Sequence, residues 1–289
     1  MFTGCMVAMV TPFADGEVDF EKIDELVEFH VAEGTEAIVT CGTTGESPTL
    51  AHEEHDAVVE RVVAKARRRV KVIAGSGSNS TREALRLTRH AKDCGADGAL
   101  MVSPYYNKPT QEGLYRHYKT VAEAVDIPIM LYNVPGRTGM PIAPETVARL
   151  AEIDNVVSVK EAAGSVDNVS KILSLTSKIQ VVSGDDSLTL PMLAVGAVGV
   201  VSVVANVVPG DVKRMIAAYE AGDVVEARRL HAKLFPLAGA MFLENNPMCV
   251  KAAMKILGRL NGEVRLPLVE VSKPTEEKIR KALADYGLM

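Results

Sequence analysis

The chain has 289 residues, 47% of them hydrophobic and 24% charged, the balance of a globular protein long enough for one barrel-sized domain with an appendage. A net charge of −5 and a pI near 5.8 argue against nucleic acid as a partner, since polyanions select concentrated basic faces. Four scattered cysteines, Cys5, Cys41, Cys94 and Cys249, form no C-x-x-C pair and suggest neither a zinc site nor a disulfide framework.

The N-terminus runs from Met1 into an apolar, strand-like segment with no basic region or cleavage site, so no secretion signal is expected. The longest apolar stretch, Ala194 to Val208, contains Ser202 and Asn206 and falls short of a bilayer span. No membrane association is therefore expected, and a reduced cytoplasmic compartment is, where the sequons at Asn79 and Asn168 carry little meaning.

Short β-rich runs alternate with longer amphipathic stretches. Strands are predicted at Cys5 to Thr11, Glu36 to Cys41, Lys71 to Gly75, Gly98 to Ser103, Ile127 to Asn133, Val156 to Lys160, Ile179 to Ser183 and Gly199 to Val204. Helical spacing of apolar residues marks Phe20 to Glu33, His52 to Ala66, Arg82 to Cys94, Glu112 to Val125 and Pro144 to Ile153 between them. Repeated strand and helix imply right-handed crossovers and a parallel sheet. Eight repeats close into a (β/α)8 TIM barrel. A doubly wound sheet would need a Gly-rich dinucleotide loop after its first strand, and Gly75-Ser76-Gly77-Ser78-Asn79-Ser80 lacks the third glycine and follows the third strand. After the eighth strand the pattern becomes purely helical, which places a catalytic barrel over 1–223 and a small C-terminal helical region over 224–289.

Active sites of such barrels lie at the C-terminal ends of the strands, and the unusual residues collect there. The second strand ends in Gly42-Thr43-Thr44-Gly45-Glu46, the fourth in Pro104-Tyr105-Tyr106-Asn107, the fifth in Tyr132-Asn133-Val134-Pro135-Gly136-Arg137, the sixth in Lys160-Glu161 and the seventh in Gly184-Asp185-Asp186. Lys160 closes an apolar run. An isolated strand lysine generally snorkels into water, but one held among valines loses its proton more readily and, neutral, forms Schiff bases with carbonyls.

Such a nucleophile needs a proton relay, and Tyr132 on the adjacent strand supplies a phenol. Thr43 and Thr44 offer hydroxyl and N–H groups to a carboxylate, or alternatively cap a turn with Ser47 and Pro48. Arg137 presents a fork to a second carboxylate, although a solvated surface arginine would have the same sequence. Asp185-Asp186 has no partner spaced for a metal or for glycoside chemistry and reads as loop structure. His52-Glu53-Glu54-His55 departs from H-E-x-x-H and reads as a helix start.

The segments Gly42–Ser47, Ser103-Pro104-Tyr105-Tyr106-Asn107-Lys108-Pro109, Tyr132–Gly139, Val159-Lys160-Glu161-Ala162 and Ser183-Gly184-Asp185-Asp186 resemble the 4-hydroxy-tetrahydrodipicolinate synthase (dihydrodipicolinate synthase) family over essentially the whole chain. The lysine on the sixth strand and the G-x-x-G-E piece are shared with the wider pyruvate-dependent group containing N-acetylneuraminate lyase and 2-keto-3-deoxygluconate aldolase. The double threonine, the Tyr-Tyr-Asn-Lys-Pro loop and Arg137 are closer to the synthase. The resemblance implies that Lys160 condenses with pyruvate and that the enamine attacks L-aspartate 4-semialdehyde, with no organic or metal cofactor. It assigns the relay to Tyr132, Thr43 and Tyr106, the last reaching in from a neighbouring subunit of a homotetramer. It gives Thr44 the pyruvate carboxylate and Arg137 the semialdehyde carboxylate, with Gly184 and the Val201 carbonyl lining the pocket. It also implies an inhibitory L-lysine site from Ser47, Pro48, His52, His55, Asn79, Glu83 and Tyr105, where Pro48 replaces the more usual small residue and restricts the loop. An aldolase of the same group and a barrel that binds without turnover remain the alternative readings.

Overall fold

The computed structural model describes residues 2–289. Ten strands and twelve α-helices occur among them. The strands are β1 (Gly4–Ala8), β2 (Phe13–Ala14), β3 (Glu17–Val18), β4 (Ala37–Thr40), β5 (Lys71–Gly75), β6 (Gly98–Val102), β7 (Ile129–Asn133), β8 (Val156–Glu161), β9 (Gln180–Ser183) and β10 (Gly199–Ser202). The helices are α1 (Phe20–Ala32), α2 (His52–Ala66), α3 (Thr81–Asp93), α4 (Gln111–Ala124), α5 (Pro135–Thr138), α6 (Pro144–Leu150), α7 (Val166–Leu175), α8 (Thr189–Ala194), α9 (Pro209–Glu220), α10 (Val224–Ala240), α11 (Met248–Ile256) and α12 (Lys273–Tyr286).

Eight strands, β1 and β4 through β10, close into a parallel barrel in which β10 pairs with β1. All eight expected strands are present, each within a few residues of its predicted bounds. The β2–β3 hairpin, too short to give an alternating pattern, was not expected. Strand residues alternate between two cores. Met6, Ala8, Val39, Ile73, Met130, Tyr132, Val182 and Val201 fill the barrel interior, while Cys5, Val7, Ile38, Val72, Ile129 and Leu131 face the helices. Both faces are thus covered, as a parallel sheet requires.

One strand breaks the alternation. Ile129 pairs with Val156 but Met130 pairs with Ser158, so β8 carries one extra residue. Val156 and Val159, three positions apart, consequently both pack in the outer core, and Val157 lies against the inner one. Such a bulge re-aims whatever follows it. A regular strand with Val156 facing the helices would turn Lys160 outward too; the extra residue turns it into the barrel.

Helix starts follow their capping chemistry. Asp19, Ser80, Thr110, Ser165 and Asp223 each accept a hydrogen bond from a backbone N–H in the first turn of α1, α3, α4, α7 and α10. α2 begins at His52, as read from the sequence. Beyond β10, helix α10 lies along α9, and α12 packs on α10 and α11. Asp211 draws this region together, accepting from Arg214, from Lys233 at 3.2 Å and from the Tyr286 hydroxyl.

Candidate active site

The interior of the barrel closes around an amine. Lys160 is 5% exposed near the C-terminal end of β8. Its strand partner across the ladder is Tyr132, and Nζ lies 4.3 Å from the centroid of that ring. None of the ion pairs among the described residues involves Lys160. The amine so enclosed lies against the π face of a phenol.

Gly184 is what makes room for the side chain. A Cβ built there would lie 2.6 Å from Ala162 Cβ and 3.0 Å from Lys160 Cε, closer than carbon atoms approach without displacement. Val201 lies in the same inner core. Lys160 and Tyr132, and Gly184 and Val201 that the resemblance adds to them, all lie at the barrel interior.

The turn after β4 supplies Thr43 and Thr44. Thr44 is 3% exposed, and its hydroxyl oxygen accepts a hydrogen bond from Asn246 Nδ2 at 2.9 Å. With the acceptor side of the hydroxyl occupied, its own proton is left to point at a ligand. Asn246 also offers its backbone oxygen to Arg137 Nη2 at 3.3 Å. A single residue from beyond the barrel therefore links the two sequence-predicted carboxylate binders. Arg137, on the one-turn helix α5, lines an open pocket of about 500 Å³ with Phe242, Leu243, Glu244, Asn246 and Met248. Sequence reading missed Asn246. The Asn-Pro step that interrupts the helical pattern at 246–247 is the signal that marks it.

Behind the amine, Glu161 faces away from the barrel axis and is fully buried. Its carboxylate accepts two hydrogen bonds from Asn133 Nδ2, at 3.1 and 2.9 Å, one from Ala163 N at 2.9 Å and one from Asn168 Nδ2 at 2.7 Å. Burial pushes its pKa up, while those donors pull it down. The network clamps the residues that follow Tyr132 and Lys160. Asp185, expected as loop, precedes a short 3-10 turn that Asp186 opens. Asp186 accepts from Ser202 Oγ at 2.5 Å, Val203 N at 2.9 Å and Val204 N at 3.0 Å, and Asp185 from Gly164 N at 3.2 Å. Burial raises both of their pKa values.

Tyr106 stands apart from this centre. It is 89% exposed, on a loop where its own φ is +72°, a conformation that a bulky residue adopts only when the loop imposes it. Its neighbour Tyr105 belongs to a second polar cluster. There Glu83 accepts from Ser78 Oγ and meets His52 Nε2 at 2.8 Å, Ser78 also engages Tyr105, and Asn107 Nδ2 donates to the Asn79 carbonyl at 2.9 Å. Ser47 and Pro48 form a 3-10 turn before α2. His55, by contrast, is buried and directs Nε2 to Gly75 O at 2.9 Å. Among the described residues no group of three or more His, Cys, Asp or Glu side chains is arranged to hold a metal ion, and no helix is long and apolar enough to cross a membrane.

Known proteins share this architecture throughout. The dihydrodipicolinate synthetase family matches residues 1–286. A 4-hydroxy-tetrahydrodipicolinate synthase of Geotalea daltonii is 57% identical over 290 residues, covering all of both chains. The crystal structure of dihydrodipicolinate synthase from Aquifex aeolicus superposes with a TM-score of 0.98 at 53% identity, over 99% of each chain. That of the enzyme from Cyanidioschyzon merolae with lysine bound gives 0.97 at 41% identity, covering 100% of this chain and 99% of that one. With identity this high over its full length, the chain belongs to the dihydrodipicolinate synthetase family.

Proposed function

We propose that this chain is a Schiff-base-forming lyase that condenses pyruvate with L-aspartate 4-semialdehyde to 4-hydroxy-tetrahydrodipicolinate, the first committed step of diaminopimelate and lysine biosynthesis. The observation that carries the chemical reading is Lys160, an amine enclosed in the barrel against Tyr132 and free of any ion pair among the described residues. Membership of the synthetase family carries the choice of substrates.

The neutral amine adds to the C2 carbonyl of pyruvate, and loss of water gives an iminium. Loss of a C3 proton then gives the enamine. Its C3 attacks the aldehyde carbon of the semialdehyde, whose oxygen takes up a proton. The semialdehyde nitrogen next adds to C2, the ring closes, and the Lys160 amine leaves. Each stage moves a proton, which is the role assigned to Tyr132, Thr43 and Tyr106. Thr44, its hydroxyl proton directed by Asn246, holds the pyruvate carboxylate. Arg137 at the pocket mouth holds the carboxylate of the second substrate. Gly184 and the Val201 carbonyl shape the space around the imine.

The exposure of Tyr106 supports its insertion into the site of a neighbouring copy, so a dimer is the minimal working unit and a homotetramer the expected assembly. The cluster of Ser78, Glu83, His52 and Tyr105 supports L-lysine binding by Ser47, His52, Asn79, Glu83 and Tyr105, alongside Pro48 and His55. The enzyme is assigned to the cytoplasm, and 224–289 to a helical region that completes the barrel.

Borohydride reduction in the presence of pyruvate tests the chemistry. A mass increase localised to Lys160 is expected; absence of an adduct would favour a barrel that binds without turnover. A coupled assay comparing aspartate 4-semialdehyde with sugar-derived aldehydes separates the synthase from an aldolase.

A further inference from the structure

The turn that carries Thr43 and Thr44 is bracketed by two left-handed residues that are not glycine, Cys41 at φ +52° and Glu46 at φ +53°. A non-glycine residue is strained in this conformation, so the surrounding structure must hold the turn in shape. Part of the restraint is local: Thr11 Oγ1 donates to Gly45 O at 2.7 Å. The rest comes from beyond the barrel.

Glu46 and Lys251 form an ion pair whose side chains are both fully buried. Lys251 sits on α11, five residues after the Asn246 that donates to Thr44. Its Nζ also donates to Glu263 O at 2.8 Å and lies 4.2 Å from the centroid of the Phe13 ring. The other Glu46 oxygen accepts from Arg265 N at 3.1 Å. The first turn of α11 and the segment just before it therefore grip the turn at two points two residues apart. A buried ion pair offers little net stability over an apolar pair of similar volume. Its charges do fix where the Glu46 side chain lies, and with it the backbone that presents both threonines.

We propose that Lys251 is a positioning residue for pyruvate binding: its buried pair with Glu46 locks the Gly42–Glu46 turn, which makes the C-terminal helical region part of the catalytic unit. The inference rests on the reading of Thr43 and Thr44 as pyruvate-side residues.

The test removes the charges without stranding one of them. In the double variant Glu46→Gln/Lys251→Met, the amide oxygen still accepts from Arg265 N and the thioether still covers Phe13. Its melting temperature is expected to stay near that of the unaltered enzyme. Its pyruvate KM should rise about tenfold or more, with slower borohydride trapping and a smaller change in kcat at saturating pyruvate. A stable double variant with unaltered pyruvate KM and trapping rate would overturn the proposal.

Amide hydrogen exchange on the unaltered enzyme gives an arm that needs no variant. Pyruvate should slow exchange in 42–47 and in 246–252 together, and protection of the turn alone would also overturn the proposal. Failure of the unaltered enzyme to trap pyruvate would instead remove the reading of the site itself.

Discussion

Tyr132 and Lys160 are ladder partners on adjacent strands, and the lysine nitrogen lies over the tyrosine ring at 4.3 Å from its centroid. The ring encloses the amine, whereas the hydroxyl carries the proposed proton relay, and Tyr132→Phe separates the two. The variant keeps the enclosure and loses the O–H, so Schiff-base trapping by borohydride should persist. Turnover should fall about 10²- to 10⁴-fold, the usual scale for a general acid–base group. A phenylalanine variant with unaltered kcat would take Tyr132 out of the proton relay.

Gly184→Ala addresses the space behind the amine. The added methyl meets Ala162 Cβ at 2.6 Å and Lys160 Cε at 3.0 Å, so either β9 shifts or the lysine leaves its position. Overpacking of this kind costs about 1–3 kcal/mol. The urea midpoint should drop accordingly, and the rate of pyruvate trapping should fall more steeply than stability alone explains. Trapping at the unaltered rate would show that Gly184 has no part in setting the lysine rotamer.

The barrel was legible because each of its strands is a short apolar run separated from the next by a helical period, and the site was legible because odd residues gather at strand ends. The bulge in β8 was not legible. Val156-Val157-Ser158-Val159 is apolar on both faces, so alternation gives no parity from which to see that Lys160 turns inward. Asn246 and Lys251 escaped for a different reason: the Asn-Pro step marks a break in the helical pattern, but their partners Thr44 and Glu46 lie more than 200 residues earlier, and a single sequence does not tell which residues so distant a break meets. The role of Glu161 was hidden because its donors Asn133 and Asn168 come from different elements, β7 and α7, which only the folded barrel brings together.

Glu161 accepts from three residues at a fully buried position. Glu161→Ala strands those donors without water and should cost about 3 kcal/mol or more. Glu161→Gln keeps one acceptor but turns an N–H₂ group toward the asparagine amides, so it should fall between. Chemical denaturation followed by circular dichroism ranks the three proteins. If alanine is no worse than glutamine, the carboxylate does not organise the ends of β7 and β8.

Initial rates measured against L-lysine test the second polar cluster. Inhibition at millimolar concentration or below is expected from the proposed site, in which Glu83, held between Ser78 and His52, would offer its carboxylate to the ammonium. Glu83→Gln should relieve the inhibition while leaving pyruvate KM near its original value. No response of the unaltered enzyme at millimolar lysine would remove the inhibitory site.

Two buried histidines contribute to the loss of stability in acid. Burial holds His117 down to about 4 and His30 down to about 3, with Arg259 adding to the effect on His30. Nε2 of each ring is buried without a hydrogen-bond partner, so a proton there has nothing to receive it. The folded-state pKa lies below the unfolded value of about 6.5, so the unfolded chain takes up the proton first as pH falls. The stability tied to the neutral rings is complete above about pH 6.5 and is lost on acidification toward 4 for His117 and toward 3 for His30. Glu161, Asp185 and Asp186 act with the opposite sign, since burial raises their pKa values and acidification relieves that cost. Comparison with His117→Gln, which stays neutral and retains a partner for Thr81, isolates one histidine from these opposing groups. Between pH 7 and 4.5 the unaltered protein should lose more melting temperature than the variant does. Parallel slopes would mean that His117 titrates in the folded protein as it does in the unfolded chain.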